Sequence, residues 1–162
     1  MPFRVARALA PHWREAAKAE RGEDKEVFRK IINISSTSGM MGNPGQANYS
    51  AGKMGVVGLT KTLAKEWGQF KVNCNAVAFG YIETRLTASK EPSNTMRIDG
   101  DTVQLGIPDP IREEAPAHIA LGRRGLPHEA AGGVFFLCSP WSNYVHGQVL
   151  NVTGGQFGGM AT

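Results

Sequence analysis

The sequence predicts an α/β fold built around a parallel sheet, and three observations predict it. The run Lys30-Ile31-Ile32-Asn33-Ile34-Ser35 is short, β-branched and nearly continuous in its apolar character, as in a strand covered on both faces. Residues 70–78 and 148–152 have the same character and strand-like length. Patterns of helical period precede and separate them, and strands that alternate with helices pair in parallel through crossovers.

Taken in order, residues 2–20 place Phe3, Ala6, Ala10, Trp13 and Ala17 at helical spacing, with Arg and Glu opposite, which predicts a first helix. Pro11 lies inside it and should kink or divide it, because proline lacks the N–H and its ring meets the preceding turn. Residues 21–29 are charged, contain Gly22 and form a solvated loop. The first strand, residues 30–35, leads into Gly39-Met40-Met41-Gly42-Asn43-Pro44-Gly45, a flexible turn-rich connection. A long helix then runs over residues 46–67. Its Ala51, Gly55, Gly58 and Thr62 make a small-residue face that invites another backbone, with Met54, Leu63 and Trp67 as bulk nearby. Residues 70–78 are the second strand. Residues 84–117 are rich in Pro, Gly and charge, with room for one short helix; a connection that long in a compact domain is functional or mobile. Residues 127–138 form a third helix with Pro127 in its first turn. Residues 148–152 form the third strand, ended by Gly154-Gly155.

A chain of 162 residues suits a single domain, residues 1–162, with a real core. Its net charge of +4 is dispersed, as in Arg21-Gly22-Glu23-Asp24-Lys25-Glu26. No basic stripe with interleaved aromatics invites nucleic acid. No apolar run is long enough to span a membrane, and the first residues lack the apolar stretch of a signal peptide. Cys74 and Cys138 sit in apolar stretches and are expected to be buried free thiols in a reducing cytoplasm. His12, His118, His128 and His146 are scattered without ligand spacing, so no metal site is expected. The composition thus describes a soluble, cytoplasmic protein.

The chemistry lies in Asn48-Tyr49-Ser50-Ala51-Gly52-Lys53, with Ser36 upstream. Tyr49 and Lys53, four apart on a helix, project from one face. An ammonium beside a phenol favours the phenolate, and a phenol so placed can pass a proton to or from a substrate oxygen. A serine at the end of a nearby strand can hold the same oxygen. On its own, a helical tyrosine is ordinarily a packing residue and a lysine four later a solvated charge. Ser35 points to the other face of the strand from Ser36; Ser38 is the loop alternative. Gly39-x-x-Gly42-x-x-Gly45 follows a strand and precedes a helix, but its spacing is wrong for a phosphate loop.

With these motifs in view, the chain resembles the short-chain dehydrogenase/reductase family, and most of all its 3-oxoacyl-carrier-protein reductase branch and related 3-hydroxyacyl dehydrogenases. Four stretches carry the likeness. Ile32-Asn33-Ile34-Ser35-Ser36 is similar to the family strand that ends in its catalytic serine, and Tyr49-Ser50-Ala51-Gly52-Lys53 to its Tyr-x-x-x-Lys signature. Asn75-Ala76-Val77-Ala78-Phe79-Gly80-Tyr81-Ile82-Glu83-Thr84 resembles the segment Asn-x-Val-Ala-Pro-Gly-x-Ile-x-Thr, with Phe79 in place of the usual proline. Gly147-Gln148-Val149-Leu150-Asn151-Val152-Thr153-Gly154-Gly155 resembles the closing strand.

The resemblance implies a partial Rossmann-like, doubly wound parallel sheet: the last three strands with their helices, the amino-terminal half missing. It implies Ser36, Tyr49 and Lys53 as catalytic residues, with Tyr49, Lys53, Gly80, Ile82 and Thr84 on an NAD or NADP cofactor. Residues 85–117 become a substrate lid. A small carbonyl or alcohol substrate is implied, a 3-oxoacyl thioester in particular, and a homo-oligomer through helices 2–20 and 46–67. The family's Thr-Gly-x-x-x-Gly-x-Gly pyrophosphate turn has no counterpart in the sequence, and its relay asparagine would fall before Met1. Two readings follow: an oxidoreductase, or an inactive piece that associates with itself or with a full-length relative.

Overall fold

The computed structural model describes residues 2–24 and 26–156. It forms two compact units, Met1–Ala78 with Gly132–Asn151, and Phe79–Ala131 with Val152–Thr162.

In the first unit, helix α1 runs over Pro2–Ala19 and carries Pro11 within it, so the proline does not divide the helix. Strand β1 (Arg29–Ser36) leads to a short helix α2 (Thr37–Met41), where sequence pattern predicted only a turn-rich connection. Ser36 caps α2: its side-chain oxygen accepts from the backbone N–H of Ser38, and this bond starts a helix that hydrophobic periodicity is too short to reveal. Helix α3 (Ala47–Trp67) follows, a single 3-10 turn closes it, and β2 (Val72–Phe79) returns to the sheet. Helix α5 (Pro127–Cys138) precedes strand β5 (Val149–Val152). The three strands form a sheet in the order β1-β2-β5. The Gly147 N–H donates to Cys74 O and the Gly80 N–H to Val152 O; the numbers rise together along both chains, as parallel pairing requires.

The core under α1 and α3 is Ala6, Leu63, Ala64 and Cys74, with Ile31, Leu59 and Trp67 packed against it. Trp13 meets Trp67 edge-on at 5.8 Å between centroids, a favoured aromatic geometry. Polar side chains finish what the strands leave open. Asn75 donates to Val145 O and accepts from the Gln148 N–H, while Asn73 donates to Asn143 O. His146 accepts the Cys74 N–H on Nδ1, so Nε2 carries its hydrogen, and Ala64 O lies 2.7 Å from that nitrogen. Burial pushes the Cys74 thiol up to about 12. Cys138 departs from the expectation of burial: it is exposed. Helix α5 is apolar nearly all round, but Ala130 and Leu137 supply its buried residues, and Cys138 is rotated about 100° from Leu137.

In the second unit, the segment expected to hold one short helix contains a β-hairpin as well. Strand β3 (Thr95–Ile98) pairs antiparallel with β4 (Asp101–Gln104), from Thr95↔Gln104 to Ile98↔Asp101. The turn residues Asp99 and Gly100 both have positive φ, 50° and 95°, as a two-residue hairpin turn demands. Helix α4 (Asp109–Glu114) follows. Among the described residues no helix is long and apolar enough to cross a membrane, and no cluster of His, Cys, Asp and Glu could hold a metal.

Candidate active site

Strand β1 and helix α3 bring two of the three catalytic candidates into one arrangement and fix the third at the same strand end. Side chains alternate along β1, so Asn33 and Ser35 face α3. The Asn33 amide donates to Thr60 Oγ1 at 2.9 Å and the Ser35 hydroxyl to Lys53 O at 2.8 Å. Ser35 is therefore a tie between strand and helix. Ser36 takes the opposite face at the end of β1 and, with its oxygen on the Ser38 N–H, is held in place.

Tyr49 stands in the first turn of α3 and is exposed. Lys53 is one turn on, and its ammonium lies 5.5 Å from the centre of the Tyr49 ring. The same ammonium donates to Ile34 O at 3.0 Å. The lysine thus spans from the tyrosine to the strand that ends in Ser36. Gly39 makes this approach possible: a Cβ there would lie 2.9 Å from both Lys53 Cβ and Met54 N. Its role is to let α2 lie against α3, which leaves no room at that glycine for a phosphate. Two side-chain oxygens beside Tyr49, Gln46 Oε1 and Ser50 Oγ, are buried without a partner. Buried polar atoms of this kind are normally completed by a ligand or an ordered water.

In the second unit, Gly80 follows β2, and its missing Cβ would lie 2.7 Å from Gln156 Oε1. Ile82 bridges to Gly125 in parallel fashion. Thr84 begins a capping box: its N–H donates to Thr87 Oγ1 at 2.8 Å, and the two hydroxyls are 3.2 Å apart. The Thr87 hydroxyl also donates to Ile82 O. A threonine hydroxyl both donates and accepts, so Thr84 has the chemistry to meet a carboxamide. Sequence reasoning missed the neighbouring cluster. Arg124 lies 5.7 Å from the Tyr81 ring centre and pairs with Glu83. Arg123 is bidentate to Glu129, which also accepts the Leu126 N–H. Only Glu129, three residues into a helix that opens with Pro127, carried a sequence signal, that of a capping position.

A parallel sheet with a serine at a strand end and a Tyr/Lys pair on α3 defines an α/β protein of Rossmann type. Residues 3–156 match the family described as enoyl-(acyl carrier protein) reductase, and the chain belongs to the short-chain dehydrogenase/reductase family. It is 44% identical over 131 residues to the 3-oxoacyl-[acyl-carrier-protein] reductase FabG of Thermotoga maritima, covering 81% of this chain and 46% of that one. It is 39% identical to a mouse (3R)-3-hydroxyacyl-CoA dehydrogenase over 78% of this chain and 42% of that one. A gluconate 5-dehydrogenase of Burkholderia cenocepacia, solved with NADP and tartrate, superposes with a TM-score of 0.73 at 29% identity, covering 96% of this chain and 51% of that one. The chain spans about half the length of the relatives it matches.

Proposed function

We propose that this chain carries the proton-transfer site of an NAD(P)(H)-dependent reductase that interconverts a ketone and a secondary alcohol, with a 3-oxoacyl thioester as substrate. The observation that carries it is the Lys53 ammonium set between the Tyr49 ring and the Ile34 carbonyl, two residues before Ser36. Tyr49 gives its phenol proton to the carbonyl oxygen in reduction and takes it back in oxidation. Lys53 places a positive charge beside that phenol. Ser36 donates to the substrate oxygen and stabilises the charge that develops on it. When bound, the nicotinamide supplies the hydride; Lys53 would hold its ribose hydroxyls, and Gly80, the Ile82 backbone and the Thr84 hydroxyl would hold its carboxamide end. The orphaned oxygens of Gln46 and Ser50 support a polar ligand next to Tyr49. The substrate class rests on the names of the FabG and hydroxyacyl dehydrogenase relatives.

The test is nicotinamide absorbance at high cofactor concentration with an acetoacetyl thioester. Turnover by the chain and its loss by about 10²–10⁴-fold in Tyr49→Phe support the assignment; equal rates in both proteins overturn it.

A second reading, an association module, is favoured by apolar side chains left exposed on α1. Phe3 is 57% exposed and Val5 51%, and Cβ atoms added at Gly55 or Gly58 of α3 would meet nothing within 4 Å. Mixing the chain with an intact relative and measuring size and rate tests it; an unchanged size would remove this reading.

A further inference from the structure

Ser36 lies on a short stretch of chain that is pinned to α3 on both sides of it. Before it, the Ser35 hydroxyl donates to Lys53 O at 2.8 Å. After it, Gly39 lies so close to α3 that an added Cβ would stand 2.9 Å from Met54 N and 3.0 Å from Lys53 C. Both contacts fall on the peptide that joins Lys53 to Met54. Ser35 is 2% exposed, so this bond is made away from water. A carbonyl has two lone pairs, so Lys53 O takes it and keeps its place in the helix. Strand β1 makes another tie to α3, where the Asn33 amide donates to Thr60 Oγ1, about two turns further along. These bonds reach from the face of β1 rather than from its edge, and every partner lies within residues 33–60 of the first unit.

We propose that Ser35 is a positioning residue for the proton transfer: its hydroxyl sets the register of β1 on α3 and thereby holds Ser36 at a fixed place relative to Tyr49. The inference rests on the reductase reading. Tyr49 and Lys53 are spaced by their own helix and need no such tie. Ser36 belongs to a different element, and its place against Tyr49 depends on how β1 and α2 sit on α3. A serine and a phenol that meet one substrate oxygen must be held closely, because a displacement of about 1 Å can cost on the order of 10²-fold in rate. Successive strand residues face opposite ways, so Ser35 grips the helix while Ser36 faces away from it. Ser36 accepts from the Ser38 N–H, which leaves its own hydrogen for a substrate oxygen.

Two variants test it on the whole chain. Ser35→Ala removes the tie beside the site, and Asn33→Ala removes the tie about two turns away; thermal melting confirms that both are folded and ranks their loss of stability. In acetoacetyl thioester reduction at high cofactor concentration, Ser35→Ala is expected to lower kcat about ten- to a hundredfold with KM little changed, whereas Asn33→Ala keeps the wild-type kcat. Ser35→Thr retains the hydroxyl and is expected to recover most of the rate. A second readout needs no turnover. In chain labelled with 3-fluorotyrosine, the fluorine NMR resonance of Tyr49, assigned through Tyr49→Phe, should shift or broaden in Ser35→Ala and stay in place in Asn33→Ala and Ser35→Thr. An unchanged kcat in Ser35→Ala overturns the proposal, as do equal effects of Ser35→Ala and Asn33→Ala on the rate or on the fluorine signal. Absence of turnover in the wild-type chain counts against the reductase reading itself, and the fluorine signal then decides whether Ser35 holds the site.

Discussion

Glu129 shows how one side chain can join two jobs. Its carboxylate takes two bonds from Arg123 and one from the Leu126 N–H at the start of α5. Those bonds, Arg123 first and the backbone second, hold its carboxyl down at about 2. A carboxylate whose folded value lies below its unfolded value near 4.5 contributes stability above that unfolded value, and the contribution fades as pH falls toward 2. Wild type is therefore expected to melt above Glu129→Gln at neutral pH, with the gap closing between about pH 4.5 and 2 in calorimetric scans. A gap that stays constant would show that charge is not the source. Gly39 is a second residue whose identity is set by one contact. Alanine there would gain about 1 kcal/mol of helix propensity, but its Cβ would stand 2.9 Å from a backbone nitrogen of α3, and such overpacking costs about 1–3 kcal/mol. The clash wins, so urea denaturation of Gly39→Ala should show a net loss on the order of 1 kcal/mol.

At the scale of elements, β5 is short and the loop before it does part of a strand's work. Cys74 sends its carbonyl to the Gly147 N–H and its own N–H to the His146 ring. A side chain thus stands in for a strand carbonyl at a fully buried position. His146→Ala strands that N–H and is expected to cost about 1–3 kcal/mol in chemical denaturation, whereas Gln148→Ala, on the exposed end of the same loop, should cost far less. The strong periodic elements were legible in the sequence: α3, α5 and the three sheet strands fall within two residues of their predicted bounds. Elements set by local bonds rather than by periodicity were not. Helix α2 depends on the Ser36 cap, and the β3–β4 hairpin on two positive-φ turn residues inside a charged stretch. Its Asp99-Gly100 pair was the available signal. The Tyr49/Lys53 pair was legible because helical spacing alone places it. The Lys53–Ile34 bond was not, because it joins residues 19 apart in the chain across a strand edge.

For the whole molecule, the division of contacts decides how firmly a dinucleotide can be held. Lys53 supplies one cation, already engaged by Ile34 O, and Thr84 one hydroxyl, already engaged by Thr87. A cofactor held as proposed would displace or share each of these bonds. The anionic centre of a dinucleotide is its pyrophosphate, which this family meets with a glycine-rich turn at a helix N-terminus. Of the glycines nearest to that pattern here, Gly39 packs on α3, and a Cβ added at Gly42 or Gly45 would meet nothing within 4 Å. A micromolar complex needs about 8 kcal/mol, and a few charge-assisted bonds worth about 1.5–3 kcal/mol each fall short once ordering of a flexible ligand is deducted. Titration of the purified chain with NADH and with NADPH, by fluorescence or calorimetry, is therefore expected to give dissociation constants well above micromolar. Addition of an intact relative that pairs with the chain should not tighten them unless the relative contributes its own phosphate-binding turn to the site. A micromolar constant for the chain alone would mean that the 162 residues hold the pyrophosphate by a route the glycines do not reveal.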